Sequence, residues 1–134
     1  MNARILIVED EHVIAKSVQA FLEDEGMEVH CRASAEQALE LVGATGCLFE
    51  VCIMDVHLPG LDGNCAIRRL HRLCPHLRFV IHTGSPAYAI PEDLRAIGIA
   101  DRHLFRKPLQ DMQPLAAVVE TLLAKAVAGV KSNG

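Results

Sequence analysis

Five short runs with the character of β-strands recur along the chain about every 23–28 residues. Three of them contain nearly unbroken apolar sequences, ILIV, VCIM and FVI, which is typical of strands covered on both faces in a parallel sheet. Consecutive parallel strands need a crossover connection, and that connection is usually a helix. The runs therefore predict strands separated by helices at residues 4–8, 27–31, 51–55, 78–82 and 103–107.

The segments between the runs carry the periodicity of amphipathic helices. Ile14, Val18 and Leu22 share one face of the first segment, and the last segment, from Leu115 onward, repeats the pattern more clearly. Ser34 followed by Gln37 is typical of a capping box, and Pro91 favours the start of a short fourth helix. Strand and helix alternate five times, which predicts a doubly wound α/β fold with right-handed crossovers.

Length and composition limit what else the chain can be. Its 134 residues are 51% hydrophobic and 22% charged, which suits one globular domain, expected over residues 1–128 with a frayed tail at 129–134. The net charge of −4 makes direct nucleic-acid binding improbable. No run approaches the ~20 apolar residues of a membrane span, and the first apolar run is too short for a signal peptide. We therefore expect a cytoplasmic protein without membrane insertion.

Cysteine and histidine usage gives no sign of a disulfide or a transition-metal site. The five cysteines are odd in number, contain no C-x-x-C pair and stand mostly in apolar runs, which predicts free thiols and no disulfide framework. The seven histidines lack a spacing typical of metal ligands. We expect most of them at the surface or at the edge of the sheet.

Charged and hydroxyl side chains follow the predicted strands. In doubly wound sheets ligands bind beyond the carboxyl ends of the strands, where this sequence places Glu9, Asp10, Asp55, Thr83 and Lys107. Three converging carboxylates repel one another, and a divalent cation with oxygen ligands, here Mg²⁺, is the common solution. A nearby hydroxyl and ammonium suit phosphoryl transfer, with Asp55 as the nucleophile that forms an aspartyl phosphate.

Four linked motifs resemble those of the receiver domain of two-component response regulators, the CheY-like family. They are ILIVED at 5–10, IMDVHLPGLDG at 53–63, HTGS at 82–85 and RKP at 106–108, and the match covers nearly the whole chain. The resemblance implies a flavodoxin-like (βα)5 fold with a five-stranded parallel sheet in the order 2-1-3-4-5. It also implies a signalling domain, not an enzyme. Such a domain takes a phosphoryl group from a sensor histidine kinase or histidine phosphotransfer protein and then changes its affinity for a downstream protein, on the face near residues 88–125.

The same resemblance assigns a metal site. Asp10 binds Mg²⁺ directly, and Glu9 binds it directly or through water. Asp55, the phosphoacceptor, shares the ion, and the backbone carbonyl of His57 is the remaining protein ligand.

The resemblance also assigns the groups that hold the phosphoryl oxygens. Thr83 bonds one of them and Lys107 pairs with another, and the peptide bond between Lys107 and Pro108 is expected to be cis. One position departs from the family pattern. Relatives carry a Tyr or Phe three residues before the lysine, a ring that turns inward when the threonine moves, whereas this chain has Leu104 there. Phe105 is adjacent but is expected to face the other side of the sheet.

The leading interpretation is a stand-alone response regulator, and three alternatives stay open. One is a binding module that works without phosphorylation. Another is the receiver fragment of a longer hybrid kinase or transcription factor. The third is a phosphohydrolase of the haloacid-dehalogenase type, although the second aspartate of that family's D-x-D motif is His57 here.

Overall fold

Five β-strands and five α-helices alternate along the chain. The computed structural model describes the backbone of residues 2–133 and the side chains of residues 2–125. The strands are β1 Arg4–Val8, β2 Glu28–Arg32, β3 Val51–Met54, β4 Arg78–Thr83 and β5 Leu104–Arg106. The helices are α1 His12–Asp24, α2 Ala35–Thr45, α3 Gly63–Leu73, α4 Glu92–Ala96 and α5 Gln113–Asn133, with a short 3-10 turn at Asp101–His103.

All five strands run parallel in the order β2-β1-β3-β4-β5, which confirms the predicted fold and strand order. Val8, the last residue of β1, lies opposite Met54, the last residue of β3. The two strands therefore end side by side, and the residues that follow them, Glu9 and Asp55, become neighbours at the same edge of the sheet.

Alternate residues of each central strand enter two separate cores, as the pleat of a β-strand requires. In β1, Leu6 and Val8 pack into a core shared with α2, α3 and α4, while Ile5 and Ile7 pack into a core shared with α1 and α5. Both faces of the sheet are thus covered, which explains the unbroken apolar runs.

The helix boundaries follow the predicted signals closely. The Ser34 hydroxyl accepts the N–H of Gln37 at 3.1 Å, and the Gln37 side chain accepts the N–H of Ala33 at 3.1 Å, one residue before the position of an ideal capping box. α5 continues to Asn133, past the predicted boundary at 128. That domain boundary and the frayed tail stay predictions, since the side chains of 126–134 and the backbone of Gly134 lie outside the described residues. No helix within the described part is long and apolar enough to cross a membrane.

The prediction of five free thiols is wrong. Cys47, in the loop after α2, and Cys74, at the end of α3, form a disulfide with their Cα atoms 5.6 Å apart. Their separation of 27 positions gives no sequence signal, because only the packing of α2 beside α3 brings the two residues together. Cys31, Cys52 and Cys65 are free.

Gly63 allows α3 to begin directly against the end of β3. Its N–H donates to the carbonyl of Val56 at 2.9 Å. A Cβ atom at this position would overlap the backbone carbonyl oxygen of Asp55 and lie 2.7 Å from the Cα of Val56. Because both neighbours are backbone atoms, no side chain can move aside to make room. Gly60, earlier in the same loop, adopts a φ of 76°, which favours glycine.

Replacing Gly63 with Ala is expected to lower the free energy of unfolding by about 2 kcal/mol, because the backbone around Asp55 must move. Gly43→Ala is the matched control, since a Cβ at this exposed position of α2 meets nothing within 4 Å. We expect the control to raise the free energy of unfolding by ~0.5 kcal/mol through helix propensity. Urea unfolding measures both. Equal effects of the two variants would contradict the close approach at Gly63.

The disulfide predicts a stability difference between oxidised and reduced protein. Cys47→Ser removes the bond at an exposed residue and should lower the free energy of unfolding by up to about 3.5 kcal/mol, the chain-entropy value for a closed loop of this length. In the presence of a reductant, the variant and the wild type should unfold at nearly the same urea concentration. Alkylation of unfolded, unreduced wild type should modify three cysteines. Modification of all five would show that the disulfide is absent.

Candidate functional site

The carboxyl ends of β1, β3, β4 and β5 place the predicted site residues along one edge of the sheet. The N–H of Asp55 donates to the carbonyl of Val8 at 2.9 Å, and the N–H of Glu9 donates to that of Arg32 at 3.0 Å. These backbone bonds extend the sheet by one residue beyond each strand. The two carboxylates are therefore fixed by the sheet, and both side chains are buried.

Lys107 is the centre of the charge cluster at this edge. Its Nζ lies 2.8 Å from Oε1 of Glu9, 3.0 Å from Oε2 of Glu11 and 3.2 Å from Oδ2 of Asp55. Burial alone lowers the pKa of this lysine, but hydrogen bonds to Glu9 and Glu11 and the nearby negative charges outweigh burial and raise the pKa above its usual value. One ammonium thus balances three carboxylates that come from two other parts of the chain.

Glu9 is held in an unfavourable environment for a carboxylate. Burial raises its pKa from 4.5 to about 7, with the charge of Asp55 adding to the shift and Lys107 reducing it. Its Oε2 atom accepts the N–H of Glu11 at 3.2 Å. A further positive charge at this point would relieve the cost of burying the ionised group.

Glu9, Asp10 and Asp55 form the one group of side chains, among those described, that could hold a metal ion together. One carboxylate oxygen from each lies within 4.8 Å of the others. Hard oxygen ligands of this kind fit Mg²⁺, which takes one or two carboxylates and keeps several waters. The side chain of His57 is exposed, and the backbone N–H of His57 donates to Oδ1 of Asp55 at 3.0 Å. The role of the His57 backbone carbonyl as a metal ligand stays a prediction.

Thr83 is buried at the end of β4, and its hydroxyl is connected to the following loop. The Oγ1 atom accepts the N–H of Ser85 at 3.1 Å, which leaves the hydroxyl hydrogen free to donate elsewhere. Arg106 on β5 donates to the carbonyls of Ser85 and of Tyr88, the latter at 3.0 Å. The Tyr88 hydroxyl in turn donates to Oδ1 of Asn64 on α3 at 2.7 Å. The loop after Thr83 is therefore held by both β5 and α3.

The region around Leu104 agrees with the sequence prediction. Leu104 is half-buried in the core that also contains part of Tyr88, whereas Phe105 packs into the core on the opposite face. The peptide bond between Lys107 and Pro108 is cis, as predicted. Tyr88, from the loop after β4, and Leu104 are thus both partly buried against the same core.

Sequence reasoning missed His82 as a buried residue of this region. Its side chain is 4% exposed, and its Nε2 atom has no hydrogen-bond partner among the described residues. Burial, reinforced by the charge of Lys107, lowers the pKa of His82 to about 4, so the ring is neutral at pH 7. His82 and Lys107 line an open cleft of about 470 Å³ beside α1. Because both faces of β4 are buried, the position of His82 within this strand could have predicted its burial. His103 is also buried, against expectation.

Comparisons with known proteins agree on one family. The model of the response regulator receiver domain matches residues 5–120. The chain is 31% identical over 133 residues to YkoG, an uncharacterized transcriptional regulatory protein of Bacillus subtilis, and 30% identical over 124 residues to the sensor kinase CckA of Brucella abortus. These matches cover 99% and 92% of this chain, which spans only 53% and 13% of the two relatives.

A solved structure agrees with the same assignment. A CheY-like response regulator receiver domain protein from Methanospirillum hungatei JF-1 is similar with a TM-score of 0.76 and 26% identity, over 96% of this chain and 99% of that one. Strand order, motif positions and the family match are therefore consistent with one another. The chain belongs to the receiver domains of two-component response regulators.

Proposed function

We propose that this receiver domain accepts a phosphoryl group on Asp55, with Mg²⁺ bound by Glu9, Asp10 and Asp55, and then changes its affinity for a protein partner. The contact between the Lys107 ammonium and the Asp55 carboxylate, at 3.2 Å, carries the proposal. The contact supports the proposal because an Asp55 that acts as the nucleophile would then have beside it a positive charge suited to phosphoryl oxygens. Receiver domains are signalling domains that accept phosphoryl groups from histidine kinases. We propose such a kinase, or a histidine phosphotransfer protein, as the donor here.

In the transfer step, a carboxylate oxygen of Asp55 forms a bond to phosphorus while the bond from phosphorus to the donor nitrogen breaks. The electron pair leaves with the donor imidazole. Lys107 then exchanges its contact with Asp55 for a contact with a phosphoryl oxygen. Bound Mg²⁺ would neutralise part of the charge that accumulates on the carboxylates and the phosphoryl group.

The hydroxyl of Thr83 is the second group that we expect to contact the phosphoryl oxygens. Its hydrogen is free to donate, while its oxygen holds the N–H of Ser85. A turn of the hydroxyl towards the phosphoryl group would therefore pull on the loop that Arg106 and Tyr88 hold. We propose that this loop carries the change towards the surface near residues 88–125, where the partner binds.

The other functions considered for this chain differ from the proposed one in how the protein would react with a phosphodonor. A binding module that works without phosphorylation would take up no phosphoryl group, and a phosphohydrolase would turn over phosphate esters continuously. The stand-alone role is also a proposal, since the curated relatives are longer than the matched region. The proposed chemistry of Asp55 is the same whether or not other domains accompany it.

The first test is the intact mass of the protein after incubation with Mg²⁺ and a small phosphodonor such as acetyl phosphate. We expect wild type to gain one phosphoryl mass and Asp55→Ala to gain none, because Asp55 is the only nucleophile that the mechanism uses. Omission of Mg²⁺ should reduce the gain strongly. An adduct that persists in Asp55→Ala, or no adduct in folded wild type, would refute the proposal. Steady hydrolysis of a chromogenic phosphate ester would instead favour a phosphohydrolase.

The environment of Glu9 predicts a pH dependence of stability in metal-free protein. Its pKa is about 7 in the folded protein and 4.5 as a free group. Between these two pH values the folded state therefore binds more protons at Glu9 than the unfolded state does. The resulting stabilisation is fully present below pH 4.5 and is lost as the pH rises through 7. Glu9→Gln lacks this titration and serves as the reference. Urea unfolding with a chelator should show wild type gaining stability relative to Glu9→Gln from pH 8 to pH 5.5. A constant difference between the two proteins would contradict the raised pKa.

A further inference from the structure

Glu11 stands at the start of α1 but does not cap it. N-cap side chains usually accept an N–H of the first helical turn, and Glu11 makes no such bond. Its Oε2 atom instead accepts from Nζ of Lys107 at 3.0 Å, while its side chain remains 58% exposed. The contact of Glu11 is therefore with the charge cluster, not with its own helix.

Glu11 differs from the other carboxylates around Lys107. Glu9 and Asp55 are buried and, with Asp10, form the candidate metal site, whereas Glu11 is not a member of that group. Its charge is consequently not neutralised by direct coordination. Glu11 also lines the open cleft beside Lys107, so a phosphodonor that approaches the lysine from this side passes a fixed negative charge.

We propose that Glu11 is a specificity-determining residue that disfavours highly charged small phosphodonors and favours phosphoramidate-type donors, whose phosphorus is bonded to nitrogen. The proposal rests on the proposed role of Asp55. Acetyl phosphate approaches as a dianion, whereas phosphoramidate carries less net negative charge because its nitrogen binds a proton. Repulsion by Glu11 therefore weighs more heavily on acetyl phosphate. A phosphoryl oxygen must also displace Glu11 from Lys107 before the lysine can hold it.

The transfer itself is the same for both donors. A carboxylate oxygen of Asp55 bonds to phosphorus, and the bond from phosphorus to the acetate oxygen or to the amine nitrogen breaks. The leaving group departs with the electron pair, as acetate or as ammonia. Glu11 takes no part in these bonds and acts only through its charge, so its effect should depend on donor charge and on ionic strength.

The test compares wild type, Glu11→Gln and Glu25→Gln in the rate of adduct formation at low donor concentration with Mg²⁺. Glu25 is the matched control, because it is an exposed glutamate at the other end of α1 and its substitution changes the net charge equally. With acetyl phosphate at low salt, Glu11→Gln should react about fivefold faster than wild type, as for a dianion roughly 8 Å from the removed charge in water. The acceleration should be smaller with phosphoramidate. The ratio of the Glu11→Gln rate to the wild-type rate should fall towards one at 1 M salt, where the Debye length is about 3 Å.

Five results would overturn the proposal. Equal acceleration with both donors, or acceleration that salt does not change, would mean that Glu11 acts through local structure. The same acceleration in Glu25→Gln would assign the effect to net charge. Adduct formation at the same rate in Glu11→Gln and wild type would refute the proposed role of Glu11 while leaving the role of Asp55 intact. No adduct in any of the three proteins, with either donor, would overturn the role of Asp55 and this inference together.

Discussion

Two buried carboxylates facing a single ammonium are the constraint on which the rest of this structure depends. The parallel register of β1 and β3 forces Glu9 and Asp55 together, and burial of like charges is unfavourable unless an opposite charge accompanies them. Lys107, which follows β5, supplies that charge from the far end of the chain. The ammonium of Lys107 reaches Glu9 and Asp55 only in a sheet with this strand order, so the site depends on the order of the strands.

The loop after Thr83 connects the charge cluster with elements away from it. The charge cluster lies at the end of the sheet, while the loop after Thr83 connects that end to α3 and β5 through Tyr88 and Arg106. The side chain of Leu104, which has no polar group, packs against the same core as Tyr88 of this loop. Hydrogen bonds from Arg106 to the loop backbone therefore connect β5 with the loop.

Much of the fold follows from local pattern. The apolar strand runs and the helical periodicity predicted the five strands and helices, because both faces of the sheet are covered. The strand order itself came from resemblance, since spacing does not determine which strands are neighbours. The residues of the charge cluster were predictable because strand ends meet at one edge, and only Glu11 was missed there, as an exposed glutamate carries no distinguishing sequence signal.

The failures share a physical cause. The Cys47–Cys74 disulfide, the buried ring of His82 and the contacts of Arg106 all depend on which side chains the packed elements bring together. None of them follows from composition or from the spacing of residues of one type. His82 is the instructive case, because both faces of β4 are buried and the position of the residue in this strand determines its burial more than its polar side chain does.

The position of Tyr88 gives the protein an optical property of its own. The chain has one tyrosine and no tryptophan, so nearly all of its intrinsic ultraviolet fluorescence arises from this single ring. That ring lies in the loop after Thr83, half-buried and hydrogen-bonded to Asn64. The emission of the whole molecule is thus a local signal from the segment that connects the charge cluster to the surface, and it is present without any label.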